Sequence, residues 1–219
     1  MRTRAWSTPA LAALVVLAGC TGGPPADPNA APSTTTAASP AATPTSPGPA
    51  EPSPTPSLDP DNEFWVEDDT WYRSPWYEGR GRIMIGFGCT EAPYYAPDPS
   101  CPDGQGFHHG VDVALPCGTE LRSGVAGTVV DPGSRGRLGG AYGSTGFRLR
   151  DPERGLDVVL GHAETVLVTP GQEVRPGQRI GTVGDRGAPD GCHLHLEVRP
   201  AAGSVADAVD PREVLQLRE

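Results

Sequence analysis

The stretch Gly191-Cys192-His193-Leu194-His195-Leu196-Glu197-Val198-Arg199 constrains the fold more than any other part of this 219-residue chain. Its alternation of apolar and polar residues reads as a half-buried β-strand. Side chains two apart share a face of a strand, so His193 and His195 point one way. Cys192, Leu194 and Leu196 then point the other way, into a core. Two imidazoles side by side on a stiff strand are either the start of a metal site or an ordinary polar sheet face. The remaining histidines decide between these. All five (His108, His109, His162, His193 and His195) lie between residues 108 and 195.

The sequence around that strand is consistent with an all-β domain. Residues 82–88, 110–115, 127–130, 146–150 and 156–160 read as further strands. Residues 166–174 and 176–184 follow, carrying Pro170-Gly171-Gln172 and Pro176-Gly177-Gln178, which predict tight turns between short apolar strands. Such spacing implies a sandwich or curled sheet and leaves no room for βαβ units. Only residues 210–217 read as helical. A domain over 82–219 is long enough to bury a modest core.

The first eighty residues have other compositions. Residues 1–20 combine Arg2 and Arg4 with a short apolar run, an export signal rather than a membrane span of about 20 apolar residues. The ending Leu17-Ala18-Gly19-Cys20 resembles the lipobox of bacterial lipoproteins, which implies cleavage before Cys20, lipidation of its thiol and attachment to a membrane. Residues 21–60 hold twelve prolines and almost no large apolar side chain, so they predict a disordered or polyproline linker. Fully extended, such a tether would reach roughly 120 Å. Residues 61–81 are acidic and aromatic, with Phe64, Trp65, Trp71, Tyr72, Trp76 and Tyr77, and predict a strap packed across the following domain. The net charge of −10, with Arg as the only strongly basic residue type, argues against a nucleic-acid partner.

A metal site takes shape from spacing. His108 and Asp112 are four apart with Gly110 between them, and on one strand an even separation puts both on one face with His109 on the other. With His195 they make a two-histidine, one-carboxylate set that suits zinc. A catalytic zinc lowers the pKa of water toward about 7. His162 and His193 remain to handle the proton, the oxyanion and the leaving nitrogen of an amide hydrolysis.

His108-x-x-x-Asp112 within His-His-Gly-Val-Asp, Gly161-His162, and His193-Leu194-His195 resemble, in order and surroundings, the lysostaphin-like (LytM-type) zinc endopeptidases. The resemblance covers roughly residues 82–215 and includes Gly86-Phe87-Gly88, Gly140-Ala141-Tyr142-Gly143 and both Pro-Gly-Gln turns. It implies His108, Asp112 and His195 as zinc ligands, His162 and His193 as the catalytic pair, and Tyr142 in the substrate groove. It implies a duplicated hybrid-motif β fold, a curled antiparallel sandwich with a short C-terminal helix. The implied activity is hydrolysis of peptidoglycan stem peptides or cross-bridges, here at the extracellular face of the cytoplasmic membrane. The alternative is a non-catalytic peptidoglycan-binding or amidase-activating protein of the same fold. Departures from the family pattern fall at Leu160, Ala163 and Leu196, and Ala141 is inserted ahead of Tyr142.

Four cysteines remain besides Cys20, and an exported protein would join them in two disulfides. Three pairings are open, of which Cys89–Cys101 with Cys117–Cys192 is favoured. The second bond would clamp the two ligand-bearing segments together from behind. Glu197, just beyond the last expected ligand, reads as an outward strand residue or as a hydrogen-bond partner of a ligating imidazole.

Overall fold

The computed structural model describes residues 57–219; the expected signal segment, Cys20 and nearly all of the 21–60 linker lie outside the described residues. Among the described residues, short apolar strands separated by turns produce thirteen strands, three 3-10 turns and one α-helical turn. The strands are β1 (Tyr72–Ser74), β2 (Tyr77–Ile85), β3 (Gly88–Thr90), β4 (Gly106–His108), β5 (Gly110–Ala114), β6 (Glu120–Arg122) and β7 (Gly127–Val129). They continue with β8 (Phe147–Asp151), β9 (Leu156–Gly161), β10 (Thr165–Val166), β11 (Glu173–Val174), β12 (Arg179–Thr182) and β13 (His193–Pro200), followed by α1 (Arg212–Leu215).

One curled antiparallel sheet runs β10-β12-β6-β2-β5-β13-β9-β8-β7-β11, with β1 added on β2 and a separate β3–β4 hairpin. Strand β13 sits in the middle, paired with β5 on one side and β9 on the other. Leu194, Leu196 and Val198 from β13 join Val111, Val113, Val158 and Leu160 in the core. Leu194 and Leu196 are fully buried, and burial of such a side chain contributes about 2 kcal/mol. The opposite face of β13 was expected to meet solvent. Instead His193 to Arg199 is buried throughout, because the Tyr142 and His162 segments cover the polar face. The departures at Leu160, Ala163 and Leu196 all fall inside the core, away from the polar face.

The two Pro-Gly-Gln segments form matching reverse turns. Gly171 and Gly177 sit at φ +80° and +79°, and the Gln172 and Gln178 amides donate back to Thr169 O and Arg175 O at 3.0 Å. Glycine at the third position relieves the steric cost of that left-handed backbone. The first of these turns splits the expected 166–174 strand into β10 and β11.

Residues 57–81 pack on the domain rather than preceding it. The strand expected from residue 82 starts at Tyr77. Trp76 is wholly buried and donates its indole N–H to Val214 O at 2.8 Å, tying β2 to α1. That contact explains why the helix expected over 210–217 is a single turn: Val214 and Leu215 are pinned in the core and Gln216 turns left-handed. Upstream, Phe64 packs on Met84 and Ile85, and Trp65 donates its amide to Met84 O. The structure contains disulfides Cys89–Cys101 and Cys117–Cys192, the latter spanning 75 residues of sequence.

Candidate active site

His195 and Asp112 face each other directly across the β13–β5 ladder, and Gly161 of β9 lies opposite His195 on the other side. Cross-strand neighbours sit about 5 Å apart, so the ladder itself brings imidazole and carboxylate together. The third member arrives differently from expectation. His108 ends β4 in the small hairpin, and the chain bends at His109 before β5 begins. The bend, not the parity of one continuous strand, turns His108 toward Asp112, and half-buried His109 packs beside Phe107.

Three side chains converge. His108 Nε2 lies 3.2 Å from His195 Nδ1 and 3.4 Å from Asp112 Oδ2, and His195 Nδ1 lies 2.8 Å from Asp112 Oδ1. All three residues are buried. The outer partners fix which atoms face inward. A carbonyl only accepts, so His108 Nδ1–H donates to Gly86 O at 2.9 Å and leaves a lone pair on Nε2. His195 Nε2 faces Glu197 Oε2 at 3.5 Å, long for a hydrogen bond but placed to receive that proton. Two imidazole lone pairs and a carboxylate then meet with no donor among them, which only a cation or an added proton can satisfy. Tetrahedral zinc with ligands at about 2.0–2.1 Å separates ligand atoms by roughly 3.3 Å, so the set fits a zinc ion.

Electrostatics agree with that demand. Burial would push the Asp112 carboxyl up, but the three imidazoles around it hold it well below the usual carboxylate range. Burial opposes charge on His195 as well, yet Asp112 and Glu197 outweigh it and raise the imidazole to about 9. Glu197 is not an outward residue. It is fully buried, accepting from Tyr142 Oη at 2.7 Å and from Arg199, whose guanidinium also donates to Tyr142 Oη at 2.6 Å. Tyr142 therefore lends its ring to the groove wall while its hydroxyl is turned inward to Glu197.

His162 and His193 stand beside this set with ring centroids 4.7 Å apart. His162 has a left-handed φ of +59°, a strained backbone state held by its amide donating to Tyr142 O at 3.1 Å. Its Nδ1–H donates to Arg186 O at 2.9 Å, so Nε2 carries the lone pair. Burial and then the neighbouring imidazoles lower His162 to about 4, keeping it neutral. His193 Nδ1–H donates to Gly191 O at 2.9 Å, and its Nε2 is buried without a partner among the described residues, 3.7 Å from Asp112 Oδ1.

Two groove residues escaped the sequence reading. Tyr95 packs its ring 5.2 Å from that of His108; burial and then the Asp112 charge hold its phenol far up, so it stays a donor. Asp190 is 3% exposed and lines the same groove; burial raises its carboxyl. The only advance signal was their position beside recognised stretches, in the 89–107 loop and just before β13. The inserted Ala141 also lines the groove. Cys117 and Cys192 lie near Asp59, but their disulfide removes both as ligands.

A curled antiparallel sheet carrying this histidine–aspartate set is similar to the LytM-type peptidases. Residues 106–211 match the model of peptidase family M23. The chain is 33% identical over 110 residues to the uncharacterized lipoprotein YgeR of Escherichia coli, covering 50% of this chain and 40% of that protein. It is 33% identical over 93 residues to the DD-carboxypeptidase/endopeptidase Mpg of Neisseria meningitidis, covering 42% of this chain and 20% of Mpg. The matches thus span less than half of either relative's length. Among solved structures, the catalytic domain of lysostaphin from Staphylococcus simulans aligns at 27% identity with a TM-score of 0.46, covering 60% of this chain and 90% of that one.

Proposed function

We propose that this domain is a zinc-dependent endopeptidase that hydrolyses peptide cross-links of bacterial peptidoglycan, tethered outside the cytoplasmic membrane through lipid on Cys20. The observation that carries the reading is the convergence of three acceptor atoms from His108, Asp112 and His195, with two further imidazoles beside them. The similarity to Mpg, a DD-carboxypeptidase/endopeptidase, supports the substrate class.

His108 Nε2, Asp112 and His195 Nδ1 would hold the metal. The chemistry supplied by zinc when bound is Lewis acidity, which makes water acidic near neutral pH and polarises a carbonyl. His162, neutral with its Nε2 lone pair toward the groove, accepts a proton from the attacking water. His193 Nε2 is unpartnered and buried and, with the ring hydrogen on Nδ1, carries a lone pair; it would take up the proton released from the attacking water and hand it to the leaving nitrogen. Tyr95, kept protonated by its surroundings, donates to the developing oxyanion. Glu197, held by Tyr142 and Arg199, orients His195.

Incubation of the zinc-loaded protein with purified cross-linked peptidoglycan tests this, with released fragments identified by mass spectrometry. New peptide ends should appear, and should vanish on chelation and in His195→Ala. His162→Ala and His193→Ala should each keep one zinc and lose cleavage. Intact cross-links despite bound zinc would overturn the reading and leave a binding or activating role.

A further inference from the structure

The groove beside His193 has a volume of about 530 Å³ and ends on a charged group that the proposed hydrolysis does not use. The Asp190 side chain lines this groove and is 3% exposed, and apart from its own backbone amide no described residue donates a hydrogen bond to its carboxylate. Its nearest cationic candidate is His193 Nδ1, at 3.7 Å, and that nitrogen has committed its proton to Gly191 O. Arg186, close in sequence, is turned away and paired with Glu164. A carboxylate in so buried a residue with no cationic partner is costly, and a binding groove is where such a cost is offset by a ligand.

We infer that Asp190 is a cation subsite for a substrate ammonium group, held within one residue of the bond to be cleaved. The inference rests on the peptidase reading of this groove. Carboxylate oxygens of Asp190 and Asp112 lie within 4.8 Å of each other. Consecutive residues of a peptide are about 3.8 Å apart, so an ammonium on Asp190 belongs to a residue flanking the scissile amide. The source is either the side-chain amine of a diamino acid or a free N-terminal amine.

The position is built rather than incidental. Asn62 donates its side-chain amide to Asp190 O at 3.0 Å and to Cys192 O at 3.1 Å, and Asp59 accepts the Cys192 amide at 3.1 Å. The Cys117–Cys192 disulfide closes the same loop. A second metal ion suits the place less well. The His193 nitrogen that faces Asp190 carries a hydrogen and has no lone pair to give.

The test uses zinc-loaded protein and peptides whose scissile amide is replaced by a ketomethylene group. One peptide carries a free side-chain amine on the flanking residue, one a free N-terminal amine there, and the third has both amines acetylated. Calorimetry should show one ammonium peptide binding at least about tenfold tighter than the acetylated one, the ratio a single charge-assisted hydrogen bond supplies. The arm that wins names the source of the amine. In Asp190→Asn the ratio should fall to within about twofold. A wild-type ratio near one, or no binding of any peptide, overturns the subsite whether or not the variant folds. So does a preference that survives in Asp190→Asn, or two zinc equivalents in wild type against one in the variant. Cleavable counterparts separate the two claims: binding preference without cleavage sinks the endopeptidase and keeps the subsite, and cleavage without preference does the reverse.

Discussion

Gly110→Ala is the sharpest test of how the sheet builds the proposed metal site. Gly110 opens β5 opposite Glu197, and the His195 ring lies over its bare Cα. A methyl there would sit 2.7 Å from His195 Cε1, 3.0 Å from His195 Nε2 and 2.7 Å from Leu196 O. Ordinary contacts begin at 3.4 Å, so the ring must retreat by about 0.7 Å or the strands must part. Neither is cheap: Leu196 O is backbone, and the ring is held between Asp112 and Glu197. Ligand distances tolerate only about 0.2 Å, so the displacement removes Nδ1 from the coordination shell. Taking overpacking strain at about 2 kcal/mol, zinc affinity should fall roughly thirtyfold. Competition against a chromophoric chelator measures the constant directly, and melting of the metal-free protein checks that the fold survives. An alanine variant that binds zinc within about threefold of wild type would refute the reasoning.

Other outcomes follow from the same contacts. Tyr142→Phe deletes the donor to Glu197 but keeps the ring in the groove wall; zinc affinity should drop by about tenfold with KM little changed, read by chelator competition and steady-state kinetics. Replacing Cys117 and Cys192 by Ala opens a loop of 75 residues and should cost about 4 kcal/mol in denaturant unfolding. His162 titrates at about 4 in the fold against about 6.5 unfolded, so the unfolded state binds the extra proton between those values. Stability should therefore rise as pH climbs from 4 to 6.5, by about 3 kcal/mol from this group. In metal-free His162→Gln that slope should be absent, and an unchanged slope would remove the assignment. Removing residues 57–66 deletes Asn62 and Asp59, which hold the loop before His193. Cleavage of peptidoglycan should fall, whereas a gain in activity would mean the strap is inhibitory.

Where the sequence was legible, a local period carried the information. The alternation in Gly191–Arg199 put His193 and His195 on one face and Leu194 and Leu196 on the other, and the ladder obeys that parity because the pleat allows nothing else. The Pro-Gly-Gln turns were readable for the same reason: glycine at the third position specifies a backbone state, not a distant partner. What escaped depends on partners far away in the chain. Full burial of β13 comes from Tyr142 and His162 folding over its polar face, and nothing in 193–199 announces a lid. His108 reaches Asp112 through a bend at His109 and a change of sheet, so an even spacing suggested the right proximity for the wrong reason. Glu197 looked outward because its two buried partners, Tyr142 and Arg199, are fixed by tertiary packing. Asp190 is the extreme case. A carboxylate in a Pro-Asp-Gly turn is ordinary in sequence, and only its burial beside His193 in the groove makes it the proposed cation subsite. The spacing of the proposed metal-binding residues is thus visible in the sequence, while their convergence and the placing of Glu197, Tyr142 and Asp190 around them are written in the fold.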